Sequence, residues 1–156
     1  MSTLSFSQSS DLAVGVEEVL PTLTMQGVNA ELWPIVRMTS PGEWKDRPIF
    51  EWPVNQPLFE SWILLLGALP VDRHRFYFRS ISPGKGFAEA SSSMTNAQWN
   101  HVRSIVTIPG GCRVTDSVEY RCRLPLLGYA LKPVYQLVFW CRHRNLKSKF
   151  GKHPGI

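Results

Sequence analysis

Apolar and polar positions alternate through the middle of the chain, and the period changes near its end. Over residues 112–124 Val114, Asp116, Val118, Tyr120 and Cys122 fall on one parity, while Arg113, Thr115, Ser117, Glu119, Arg121 and Arg123 fall on the other. A period of two with one almost wholly polar face predicts a strand, solvated on that side and buried on the other. Residues 72–81 behave alike, with Arg73, Arg75 and Arg79 on the wet parity and Phe76 and Phe78 on the dry one. Residues 87–94 predict a weaker strand, and residues 97–108 a longer one carrying Trp99, His101, Val102 and Ile105. The continuous run Trp62-Ile63-Leu64-Leu65-Leu66 within residues 59–69 predicts a strand covered on both faces. Proline and glycine at Pro83-Gly84 and Pro109-Gly110-Gly111 mark the reversals.

From about Leu126 to Lys149 the spacing becomes helical: Leu131, Val134, Tyr135, Val138, Cys141 and Leu146 form one apolar stripe. Pro133 predicts a kink or a late start. Beyond Cys141 the stripe gives way to Arg142, Arg144, Asn145 and Lys149, so the last turns are expected to project into solvent. Near the other end, a short strand is predicted over residues 3–9 and a helix over 16–24, limited by Pro21. A second short helix is predicted over 29–38 with Asn29 as its cap. Residues 40–57, broken by Pro41-Gly42 and Pro48, read as a long loop, the kind of segment that often rims a site.

Composition narrows the class. The 156 residues suit one domain, 1–156, and 44% apolar with 19% charged residues is a globular balance. Net charge is +5, with much of the excess in a basic C-terminal tail from about residue 142. Its simplest reading is a solvated helix end that complements the macrodipole. Cys112 and Cys122 on one strand sit roughly 33 Å apart, so they cannot bridge. With Cys141 they make an odd number lacking metal-ligand spacing, which fits a reducing cytoplasm. The first residues lack the basic opening and apolar run of a signal peptide, and the stretch from Trp62 to Val71 is too short to span a bilayer. The expected localisation is cytoplasmic.

The order of elements, the segment Pro109-Gly110-Gly111-Cys112-Arg113-Val114-Thr115-Asp116-Ser117-Val118-Glu119-Tyr120, the following Leu124-Pro125-Leu126-Leu127-Gly128 and a helix ending Arg142-His143-Arg144 resemble the SRPBCC superfamily. That superfamily contains START lipid-transfer domains, pollen-allergen-like carriers and polyketide cyclases. Residues 59–74 look like the middle strands of bacterial members with no assigned role. The resemblance implies an α+β helix-grip fold: a curved antiparallel sheet of six or seven strands around a long C-terminal helix, with two short helices after the first strand. One strand is missing from the pattern, because residues 33–38 read as helix and 40–57 as loop.

The resemblance also implies a space between sheet and helix. Trp33, Trp62, Leu64, Phe76, Phe78, Trp99, Val118, Tyr135 and Val138 are the expected ligand-binding wall; the competing reading is that the same side chains fill a dry core. His101, Asp116 and Tyr120 share inward positions on neighbouring strands. A His–carboxylate pair there orients a ligand's polar end or moves a proton, unless it is simply a structural hydrogen bond. His74 has the parity of Phe76 and Phe78 but stands near a turn. No Walker loop, zinc helix or nucleophile elbow is present, and Gly84-Lys85-Gly86 reads as a turn. No metal and no cofactor are expected.

Three functions remain open at this point. The leading one is binding or transport of a hydrophobic small molecule, a lipid or polyketide-like aromatic. The second is a cyclase or aromatase using His101 and Asp116 as acid and base. The third is an interaction module docking the basic C-terminal helix on an anionic membrane surface, with nucleic acid disfavoured.

Overall fold

Seven antiparallel strands form one curled half-barrel sheet in the order β1-β7-β6-β5-β4-β3-β2, with a long C-terminal helix packed into it. The computed structural model describes residues 2–153. Strand β1 is Leu4–Leu12, and the short helices α1, Val16–Val19, and α2, Met25–Leu32, follow it. Strands β2, Val36–Met38, β3, Pro57–Leu65, β4, Leu69–Ser82, β5, Gly86–Ser93, β6, Asn96–Ile108, and β7, Gly111–Cys122, complete the sheet. The final helix, α3, spans Pro125–Phe150 and runs through Pro133. This is the expected α+β helix-grip architecture, with seven strands rather than six.

The alternation in β4 and β7 does what its chemistry demands. Phe76, Phe78, Val114, Val118, Tyr120 and Cys122 are buried, and the arginines between them face outward. His74, whose place near a turn left its side open, is buried with Phe76 and Phe78.

Three expectations are corrected. Residues 33–38 are not a helix: α2 begins earlier, with the Thr24 hydroxyl accepting from Gly27 N, and the chain then turns into the missing strand β2. Asn29 is no cap. Its side chain brackets Met38, Nδ2 donating to Met38 O and Oδ1 accepting from Met38 N, which holds β2 against α2. Strand β3 is not covered on both faces: Ser61 is its one buried residue among Pro57–Leu65, and the apolar run is half-exposed. Its outer face lies under a charged layer instead, where Glu60 pairs with Arg73 and Arg75 and the Arg73 guanidinium stacks on Trp62.

The third correction reverses the polarity of α3. Cys141, Arg142, His143 and Leu146 in its second half are buried, whereas Leu126, Tyr129, Val134 and Leu137 in its first half are exposed. The helix packs against β1, β7 and α2. Gly128 permits the close approach at its start: an added Cβ there would come within 3.3 Å of Cys122 and Leu4.

Burial sets the expected cost of truncation along α3. Leu146→Ala is expected to lose about 2–5 kcal/mol of unfolding free energy in urea, as fully buried leucines do, whereas Leu126→Ala should stay within about 0.5 kcal/mol of the parent chain.

Candidate functional site

Register brings the buried polar residues together. Arg103 lies directly opposite Asp116 across β6 and β7, and Glu89 lies opposite His101 across β5 and β6. From above, α2 contributes Glu31 and α3 contributes Arg142 and His143, all buried. The result is a continuous ionic network inside the protein.

At its centre the Asp116 carboxylate accepts four hydrogen bonds. Oδ1 takes His101 Nε2 at 2.7 Å and Arg103 Nε at 2.9 Å, and Oδ2 takes Arg103 Nη2 and His143 Nε2, both at 2.8 Å. The other side of Arg103 meets Glu31, with Nη1 to Oε1 at 2.8 Å and Nη2 to Oε2 at 2.9 Å. Arg142 donates to the same Glu31 Oε2 from Nε at 3.0 Å and Nη2 at 2.8 Å. The ring of His143 reaches on to Ser10 in β1, Nδ1 to Oγ at 2.8 Å. Toward β4, His101 Nδ1 lies 3.5 Å from Glu89 Oε1, and the second Glu89 oxygen accepts from His74 Nε2.

Three carboxylates, Glu31, Glu89 and Asp116, are matched by Arg103, Arg142 and His101. Both ring nitrogens of His101 face carboxylates, Nε2 within hydrogen-bond reach of Asp116 and Nδ1 beside Glu89, an arrangement that favours the imidazolium. Burial opposes that charge, but hydrogen bonding to Asp116 and Glu89 outweighs it and raises the His101 pKa. Burial likewise works against ionising the acids. It is overcome at Asp116 by Arg103, His101 and His143, at Glu31 by Arg103 and Arg142, and at Glu89 by His74 and His101, so all three lie below the usual carboxylate range.

One end of this network borders a cavity of about 350 Å³ between the sheet and α3. His74, Glu89, His101 and Arg142 form its polar end, and Asp72 and Asn96 stand elsewhere along the wall. The remainder is largely apolar. Trp52, Phe76, Phe78 and Phe87 contribute rings from the sheet side and the long loop, and Tyr135, Val138 and Phe139 close it from α3. The loop over residues 40–57 thus supplies a wall, anchored where Trp52 Nε1 donates to Arg47 O and its ring packs edge-on against Phe76 and Phe78. Leu65, Val71 and Val134 line the cavity and are also exposed, so its mouth lies between the β3–β4 hairpin and the middle of α3.

Of the expected wall, Phe76, Phe78, Trp99, Tyr135 and Val138 border the cavity, as does His101. Trp33 does not: it is 57% exposed and lies across the hairpin at Gly67. Trp62 faces outward under Arg73. In β3 the inward parity is that of the buried Ser61, which puts Ile63 and Leu65, not Leu64, in the wall. Val118 is sealed in a small core with Tyr120 and Phe139. Asp116 is fully buried and saturated with donors, so it orients His101 and cannot touch a ligand. Tyr120 is structural as well, its Oη donating to Gly128 O at 2.7 Å, with burial pushing its pKa up to about 12.

Glu31, Glu89, Arg103, Arg142 and His143 are the residues that reading the sequence missed. Parity places Arg103 with His101 and Ile105, and Glu89 with Phe87, so strand position held the signal that residue type concealed. Among the described residues no cluster of His, Cys, Asp or Glu could hold a metal ion, and the three cysteines are buried and unbridged.

Two consequences are measurable. Arg103→Met is expected to cost about 3–5 kcal/mol in chemical denaturation, because it strands two buried carboxylates. Stability should also depend on pH in two directions. The raised His101 pKa stabilises fully below its ordinary 6.5 and is lost as pH rises through the folded value. The depressed acids stabilise fully above their ordinary 4.5 and 3.8 and are lost as pH falls through theirs. Unfolding free energy should therefore be greatest between pH 4.5 and 6.5, and His101→Gln should flatten the alkaline decline in a urea-against-pH series.

Comparison with solved structures agrees with this fold. Protein CV1439 from Chromobacterium violaceum superposes with a TM-score of 0.68 at 10% identity, over 94% of this chain and 97% of that one. A START superfamily protein from Mycobacterium smegmatis gives 0.61 at 10% identity, over 94% and 96%. DynU16, from the dynemicin biosynthetic locus, gives 0.55 at 12% identity, over 96% of this chain and 48% of that one. Among curated proteins none matches. Likeness at this identity shows the fold alone, which is the helix grip. Residues 10–150 match the model of a domain of unknown function, DUF8410, and the chain belongs to that family.

Proposed function

We propose that the protein binds a hydrophobic small molecule in the cavity between its sheet and α3. The observation that carries this reading is the cavity itself, about 350 Å³ and walled by aromatic rings, at the lower end of the volumes of small-molecule sites. Its exposed apolar rim at Leu65, Val71 and Val134 supplies a route in. The ligand contacts are Phe76, Phe78, Trp99, Tyr135 and Val138, together with Trp52 and Phe139.

The basic C-terminal segment is a weaker candidate for the working surface. Arg142 and His143 are buried in the network, which leaves Arg144, Lys149 and Lys152 as its exposed cations. No helix among the described residues is long and apolar enough to cross a membrane.

Titration with Nile red tests the proposal. Saturable binding at one site is expected, and Val138→Trp, which fills the cavity from α3, should weaken it at least roughly tenfold, a change of about 1.4 kcal/mol. Circular dichroism should show both chains folded. Absence of saturable binding, or equal binding by the filled variant, would contradict the reading.

A further inference from the structure

The polar end of the cavity restricts what the ligand can carry there. Arg142 is 6% exposed and borders the cavity, and its Nε and Nη2 are both committed to Glu31. Among the described residues nothing hydrogen-bonds its Nη1. The same holds for Nδ1 of His74, which also borders the cavity and uses Nε2 on Glu89. The side-chain nitrogens wholly sealed without a partner are Arg73 Nε and Arg121 Nε. Arg142 Nη1 and His74 Nδ1 are not among them, so each retains open space beside it. A ligand that fills that space beside the guanidinium N–H loses affinity unless it brings an acceptor of its own, an oxygen.

Charge decides which oxygen. The basic groups of the network are already taken up, Arg103, Arg142 and the His101 and His74 rings lying against Glu31, Asp116 and Glu89, while Asp72 accepts from the backbone N–H groups of Arg73 and Thr95. An incoming carboxylate or phosphate would be a further buried anion, beside Glu89 and in a wall that already holds the buried Asp72, and would pay desolvation with nothing to offset it. A keto or hydroxyl oxygen accepts from Arg142 Nη1 and adds no charge. A hydroxyl both accepts and donates, so it can also meet His74 Nδ1 in either role. The remaining wall presents ring faces and edges from Trp52, Phe76, Phe78, Phe87, Trp99 and Phe139, which favour a flat, ring-containing skeleton over a flexible chain.

We infer that the ligand is an uncharged, ring-containing molecule whose keto or hydroxyl oxygen docks on Arg142 at the inner end of the cavity. This rests on the proposed binding function and narrows it away from fatty acids and other anionic lipids.

The test compares four probes of one skeleton, fluorene, fluorenone, fluorenol and fluorene carboxylate, by displacement of Nile red from the full chain at neutral pH. Fluorenone and fluorenol should bind roughly tenfold or more tighter than fluorene, the range of a hydrogen bond to a charged group, with the carboxylate weakest. A carboxylate that binds tightest, or four equal affinities, overturns the inference and leaves the cavity reading standing. Failure of every probe, Nile red included, removes both. In Arg142→Met the advantage of the two oxygenated probes over fluorene should vanish. An advantage that persists in the folded variant also overturns the inference. If the variant does not fold, the order of affinities on the parent chain decides.

Discussion

The guanidinium of Arg103, clamped between the carboxylates of Asp116 and Glu31, is the contact on which the other features depend. It joins the middle of the sheet to α2, and through Glu31 it reaches Arg142 on α3. His143 adds a second tie from α3 to Asp116 and on to β1. Ions this deeply buried do not stabilise a fold merely by being paired, since desolvation consumes much of the attraction; they act by punishing any arrangement that separates them. The position and rotation of α3 are therefore set by charge geometry along its second half. Apolar packing alone would have let the helix slide or roll.

That constraint explains why the interior is open. A helix held against β1, β7 and α2 cannot also settle onto β3 to β5, and large rings from both sides meet without closing the remaining space. The polar end of the cavity is the exposed flank of the same network. A ligand entering there would touch groups that also hold the fold, so binding and stability should be coupled in this protein.

Most of the sheet was legible because alternation is a geometric signal. In β7, and in β4 as far as Phe78, the buried and solvated parities are correct, and the helical stripe on α3 marks a real helix. What failed were inferences from residue type. Arg142 and His143 look like the start of a solvated basic end, yet they occupy the turn between Phe139 and Leu146, both buried. Trp62 looks like a core residue, yet it serves as a platform for Arg73 on the outer face. Strand β2 is three residues long and exists because Asn29 brackets Met38 and β3 offers an edge, a tertiary cause with no local period. Asp116 was rightly placed inside with His101, but its saturation by four donors depends on partners as far away as α3.

The most direct measurement is nitrogen NMR of the His101 ring at neutral pH in the full-length protein. The account predicts an imidazolium with both ring nitrogens protonated, persisting above the ordinary histidine value of 6.5 because Asp116 and Glu89 hold it from either side. A ring that is singly protonated at neutral pH and titrates at or below 6.5 would contradict the charge-balanced network, and with it the explanation of how α3 is held.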